Sequence, residues 1–306
     1  MPGIKRRNRR QRKEVSLSST LHNPEYIRKT AELGLVEGRK LFGDLALKYL
    51  SEHEDYGALI HTNLAYFGLP SDSAAVENVV KHIGYHYHEK FLSFSREPAF
   101  YPSFHSRVAR PDDMIDELLA NQREKKPTFI LSAHFGAMAL IPGVLNSRKL
   151  DISSIIRFPS EQIKQLIVSK GTAILEALGY GRTKFFEIDK QPVMDLVYGL
   201  EDGETFFSVL DEHTEFDVDI TFLGKTIGGG AGIDRIVNLV GRQEVRLYFT
   251  EMVRDGDSYT LGLHRIDVTG DDYIQNMFRI HEGYVSKHPE QWFFLQEVHE
   301  NMPEHP

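Results

Sequence analysis

From residue 127 onward the chain alternates short apolar runs with stretches whose apolar residues recur every three or four positions, the rhythm of strands interleaved with helices. Runs at 127–133, 152–157, 183–188, 205–210, 218–223, 245–253 and 258–264 read as strands. The segments 137–147, 161–178, 191–201 and 230–240 read as helices between them, with a last helix at 271–287. Strands joined by helical crossovers run parallel, so the pattern predicts an α/β fold: a mixed, mostly parallel sheet flanked by helices. The close pairs 205–210 with 218–223 and 245–253 with 258–264 are expected to be antiparallel at the edges, the second turning through Asp255-Gly256-Asp257.

Before residue 127 the pattern is helical. Asn23-Pro24-Glu25 starts a helix as an N-cap followed by proline at the first helical position, and apolar residues continue to about Leu50. Gly34, Gly38 and Gly43 weaken that helix and predict close packing or a break. A second helix opens at Ser71-Asp72-Ser73 with Val76, Val79, Val80, Ile83, Tyr87 and Phe91 at helical spacing, and a third runs from Met114 to Leu119. No internal repeat occurs, so residues 21–306 read as one domain with an N-terminal helical layer, behind a basic flexible tail over 1–20.

Charge changes the picture at that tail. The first fourteen residues carry seven basic side chains, Lys5 to Lys13, against Glu14, a net +6; the remainder therefore carries −14 of the overall −8. Such a tail suits anionic lipid headgroups or nucleic acid, or stays solvated without a specific partner; it has no aromatic residue and no periodicity. Of these partners, peripheral contact with an anionic membrane is carried forward and nucleic acid is not. A composition of 41% hydrophobic and 26% charged residues is that of a globular protein, and the absence of cysteine excludes disulfides, thiolate metal sites and a cysteine nucleophile. No run of about 18 apolar residues and no secretory signal pattern is present, so the expected location is cytoplasmic, with peripheral attachment at the inner membrane face as the alternative.

The apolar run Thr128-Phe129-Ile130-Leu131-Ser132-Ala133 delivers His134 to a strand end, and Gly136 lets the backbone turn directly after it. A histidine there is placed to act as a base, or is held as a hydrogen-bonded structural residue. Arg157, at the end of the strand 152–157, is set to bind phosphate or carbonyl, or to make a surface ion pair. Asp211-Glu212-His213-Thr214 forms a polar cluster where open α/β sheets place ligands, or a solvated turn. Gly228-Gly229-Gly230-Ala231 precedes a helix and suits an anion cradle or a plain turn; it is no nucleotide fingerprint. His82, His86 and His88 read as a solvated or partly buried helix face, with metal binding by His82 and His86 the minor alternative; no metal site is predicted. Phe91, Phe94, Phe100, Tyr101 and Phe104 line a tunnel for an apolar ligand or simply fill the core.

The strand ending in His134-Phe135-Gly136 resembles the motif of the lysophospholipid-acyltransferase superfamily, in the branch of the late (lauroyl/myristoyl) acyltransferases of lipid A biosynthesis. Further segments are similar to that family's in the same order: Thr62 to Phe67; Ile155-Ile156-Arg157-Phe158-Pro159; Leu210-Asp211 through Ile220 to Gly224, Gly229 to Ala231 and Val245 to Phe249; and Tyr284 to Trp292 with its Pro-Glu-x-Trp. The chain departs at the acid of the His-x4-acid pair, which is Ala139, and at Ala137, where asparagine is usual.

The resemblance implies a glycerolipid-acyltransferase-like fold and transfer of an acyl group from an acyl-carrier-protein or coenzyme A thioester to a hydroxyl or amine, with no resident cofactor. It implies His134 as general base and a functional role for Arg157. With Ala139 in place of the acid, an acid from a neighbouring strand end is expected to reach the ring, Asp211 or Glu212 being the candidates. Otherwise the acceptor needs less help, or catalysis is lost and the chain is a silent binder of acyl groups or lipid. A thioesterase, with water as acceptor, shares the same chemistry. Gly136, His213, Gly229 and Gly230 are the expected substrate contacts beside Arg157.

Overall fold

A computed structural model describes residues 16–156, 158, 161–187, 193–211 and 218–298. The basic residues 5–13, Arg157, Glu212 and His213 lie outside the described residues. Nine strands are described: Val108–Ala109 (β1), Thr128–Ser132 (β2), Ile152–Ile156 (β3), Thr183–Glu187 (β4), Thr205–Val209 (β5), Val218–Phe222 (β6), Lys225–Gly229 (β7), Arg246–Asp255 (β8) and Ser258–Ile266 (β9). Seven form one sheet in the order β1-β9-β8-β2-β5-β3-β4.

β2 is the central strand, parallel to both β8 and β5, and β3 continues the parallel array to β4. All five residues of β2 are buried, as expected for a strand with helices over both faces. Its side chains alternate between two core layers. Phe129 and Leu131 join Phe206, Leu247 and Phe249 on one side, while Ile130 joins Ile152, Phe207 and Tyr248 on the other. The expected α/β architecture with N-terminal helices is what forms.

The antiparallel pairing of β8 with β9 is present, turning through Gly256-Asp257 with Gly256 at φ +55°. The expected pairing of 205–210 with 218–223 is not. β5 has parallel neighbours on both sides, so its backbone groups are already taken. β6 pairs instead with β7 in a separate hairpin, turning at Leu223-Gly224 with both residues at positive φ. The sequence pattern assigns no strand to 225–229 and reads Gly228 to Ala231 as a loop before the next helix.

The N-terminal helix breaks at Leu33-Gly34 into Pro24–Glu32 and Leu35–Glu52. Gly38 and Gly43 give the predicted close packing: a Cβ on Gly38 would lie 2.1 Å from His88 Nε2 and one on Gly43 2.9 Å from Tyr85 Cε1. Both contacts belong to the long helix Ser73–Ser95, capped by the Asp72 side chain. Helices at Glu54–Tyr66 and Phe100–His105 were not separated by the pattern. The 161–178 segment carries a π-helical turn at Ile167–Gly171, and 137–147 begins as a 3-10 turn at Met138–Leu140.

The packing of Leu35–Glu52 on Ser73–Ser95 is tight enough to test. A Cβ on Gly84 would sit 2.4 Å from the Phe42 carbonyl oxygen, whereas one on the helical Gly283 meets nothing within 4 Å. Gly84→Ala is expected to cost about 1–3 kcal/mol through overpacking. Gly283→Ala is expected to stabilise by up to about 1 kcal/mol through helix propensity. Urea unfolding of the two variants should move the midpoint in opposite directions; equal shifts would refute the packing argument.

Candidate functional site

The register that pairs Ser132 with Val209 continues past the strand ends, where the Leu210 N–H donates to the Ser132 carbonyl at 2.9 Å. Two residues on, that register sets His134 beside Asp211. The Asp211 carboxylate accepts the His134 backbone N–H on Oδ2 and the ring Nδ1 on Oδ1, each at 2.8 Å. A carboxylate accepts, so Nδ1 carries the hydrogen and Nε2 is the basic nitrogen. Burial alone would push the Asp211 carboxyl up, but the charge and hydrogen bonds of His134, with His281 behind, hold it below the usual carboxylate range. Asp211 is therefore an anion at neutral pH, able to orient the ring and stabilise its protonated form.

Aromatic residues hold the ring. Phe294 lies face to face with it at 5.3 Å and 21°, and Phe293 meets it edge-on at 5.3 Å. The His134 side chain is 19% exposed against 5% for Asp211, so the base reaches the surface of the site and the acid does not.

Gly136 is the pivot of the turn. Its φ is +57°, and a Cβ there would lie 1.9 Å from the Met252 carbonyl oxygen. Its N–H donates to the Gln291 carbonyl at 2.9 Å and its carbonyl accepts from the Arg254 guanidinium. Both backbone groups are used internally, so the expected substrate contact at Gly136 is corrected to a structural junction. Gln291 also brackets Arg254, accepting its N–H at 2.9 Å and donating to its carbonyl at 3.0 Å. Arg254 in turn donates from Nε to both oxygens of Glu89, at 2.8 and 2.9 Å.

A second acid–histidine pair lies behind the first. Glu251 on β8 and His281 on the helix Tyr273–Lys287 meet at 2.8 Å, both fully buried. Burial pushes the Glu251 carboxyl up to about 7, with His281 opposing this and the Asp211 charge adding to it.

A cavity of about 450 Å³ opens beside His134, within the range of small-molecule sites. Met138, Ala139 and Leu140 line it directly after the histidine turn. Position 139, where the resembled motif carries its acid, is thus part of an apolar wall. Of the predicted aromatic stretch, Phe94, Tyr101 and Phe104 line the cavity. Phe91 belongs to the core, and Phe100 packs against the second core layer.

Gly230 borders the cavity at φ +75°, at the start of the helix Ala231–Val240. Gly229 does not: it ends β7 and packs on Phe278, which a Cβ would meet at 2.9 Å. That expectation is corrected too, since the segment is strand and not an open loop. His86 and His88 are buried at 7% and 0% exposure, deeper than the solvated or partly buried face expected of them, because the helix carrying them runs through the core. Among the described residues, no group of three or more His, Asp or Glu side chains is arranged to hold a metal ion.

Sequence reading missed Glu89, Arg254, Glu251 and His281, which lie outside the segments that carry a local motif. Gln291 was within reach, since Pro289-Glu290-Gln291-Trp292 had been singled out, and Trp292 forms an isolated bridge with Phe135. The chain matches no protein-family model and no curated protein sequence at a significant level.

The two acids predict opposite pH dependences. Asp211, with its pKa lowered on folding, contributes stability that is lost as pH falls below about 4. Glu251, raised from 4.5 to about 7, contributes stability that is present below about 4.5 and lost as pH rises through about 7. Glu251→Gln keeps an acceptor for His281 and removes that titration. Between pH 4.5 and 7 the wild type should therefore lose on the order of 3 kcal/mol relative to the variant. Urea unfolding across that range measures it, and parallel stability curves would refute the shifted carboxyl.

Proposed function

We propose that this protein transfers an acyl group from an acyl-carrier-protein or coenzyme A thioester to a hydroxyl or amine acceptor, with His134 as general base. The observation that carries this reading is the grip of Asp211 on both the backbone and the ring of His134 at the edge of an apolar cavity. The residue order that resembles the lipid A acyltransferase branch supports the choice of acyl transfer over other base chemistry.

His134 Nε2 takes the proton of the acceptor hydroxyl or amine as its oxygen or nitrogen attacks the thioester carbonyl carbon. The tetrahedral intermediate then expels the thiolate, which recovers the proton from the imidazolium. One C–S bond breaks, one C–O or C–N bond forms, and a free thiol leaves. Asp211 holds Nδ1–H toward itself, so Nε2 is the basic nitrogen, and its charge stabilises the imidazolium between the two steps. The apolar wall of Met138, Ala139, Leu140, Phe94 and Phe104 suits an acyl chain.

Asp211 answers the absence of an acid at 139, and with it the main argument for a silent acyl or lipid binder loses its force. Among the described residues no helix is long and apolar enough to cross a membrane. Contact with an anionic membrane through the basic residues 5–13, and a cytoplasmic location, belong to this proposal.

Thioester consumption with acylated product identified by mass provides the test, using acyl thioesters of several lengths and hydroxyl and amine acceptors. His134→Ala should abolish transfer without changing the melting temperature greatly. Asp211→Asn should lower turnover by about 10²–10⁴-fold, as loss of the correct tautomer does in triads. Ala139→Glu should add little, because Nδ1 is already engaged. Full activity in His134→Ala would remove the histidine from the mechanism, and thioester loss without acylated product would make the protein a hydrolase.

A further inference from the structure

The cavity beside His134 is not uniformly apolar. On the helix Ser73–Ser95, His86 and Lys90 stand one turn apart and both line it. His86 is 7% exposed and stacks on Phe293 at 3.7 Å, the same ring that meets His134 edge-on. Its Nδ1 is buried with no hydrogen-bond partner. Among the described residues Lys90 has no acidic partner; its ammonium lies 5.9 Å from the centre of the Tyr87 ring. Burial brings the Lys90 amine down to about 8, and burial lowers His86 well below its ordinary value, with the Lys90 charge adding to the effect.

A lysine on a ligand cavity without a counter-charge and an unsatisfied buried imidazole are each costly when the cavity is empty. An anionic group on a ligand in the cavity supplies the counter-charge that Lys90 lacks, beside the His86 ring that lines the same wall. A neutral imidazole offers one N–H and an ammonium three, so the matching group accepts several hydrogen bonds and carries negative charge. We infer that Lys90 and His86 form a subsite for a carboxylate or phosphate, so that the cavity takes an amphipathic ligand with an ionised group near the His134 end. Joined to the acyl-transfer reading, on which this last step rests, one of the two substrates carries that anion inside the cavity. A plain alkyl chain in this stretch would leave both groups unsatisfied.

Binding of 1-dodecanol, dodecanoate and dodecyl phosphate to the full chain, measured by calorimetry, tests the subsite without any need for turnover. The three share a chain and differ in the head group. Wild type should bind at least one anion about tenfold or more tightly than the alcohol. Lys90→Met should remove that preference while leaving the alcohol's affinity unchanged, and Lys90→Arg should restore it. Which anion gains more identifies the source as carboxylate or phosphate.

Equal affinities for all three ligands in wild type, or equal weakening of all three in Lys90→Met, would overturn the inference. His134→Ala should keep the anion preference. If the preference stands and no acceptor is acylated, acyl transfer fails while the subsite holds; if transfer proceeds and Lys90→Met binds all three ligands as wild type does, the reverse is true.

Discussion

The site depends on one carboxylate holding two hydrogens of a single residue. Asp211 fixes the His134 backbone through Oδ2 and the imidazole through Oδ1, so the strand end and the ring cannot move independently. This is possible because β2 and β5 are adjacent and parallel, with Ser132 level with Val209. In that register the residues two beyond each strand end stand side by side. An acid five residues further along the same chain must be brought back to the ring by a turn, whereas an acid on the neighbouring strand is delivered by the sheet.

That difference explains how alanine is accommodated at 139. The turn after His134 is bound to the rest of the protein at Gly136, through Arg254 and Gln291, and leaves residue 139 on the cavity wall. A carboxylate there would face apolar side chains, at the cost of desolvation, and would find Nδ1 already engaged by Asp211. The clamp is itself demanding. Arg254 and Glu89 are 6% and 0% exposed, and Arg39 and the Tyr259 hydroxyl also approach the Glu89 carboxylate, at 3.3 and 3.1 Å. Removing one member of such a pair leaves a buried charge, so its effect is to fix the position of the Gly136 turn more than to add net stability.

Much of this was legible in the sequence because it is local. The strand at 127–133 announces itself by a run of apolar residues, and the turn by a glycine two positions after the histidine. Asp211 could be named from the same reasoning, since it ends a strand of the parallel array. Strand order could not be read: whether 205–210 sits beside 127–133 or beside 218–223 depends on long-range pairing, and the short spacing to residue 218 argued for the wrong neighbour. Gly229 resists sequence reading for a related reason, as a strand end packed closely on Phe278 and a loop open to a ligand ask for the same residue.

How deeply the polar groups on Ser73–Ser95 are buried is not legible in the sequence, because helical periodicity reports which face is apolar and not what lies opposite it. His86, His88 and Glu89 fall among apolar positions, and only the fold shows three different outcomes. His88 fills the space that Gly38 leaves, Glu89 neutralises Arg254, and His86 lines the cavity with its ring stacked on Phe293. One helix thus supplies packing, the anchor of the histidine turn and polar groups for a ligand. A stretch that hydrophobic pattern alone treats as a core helix with blemishes is the element on which the site is built, because His86, His88 and Glu89 are each buried against a different partner.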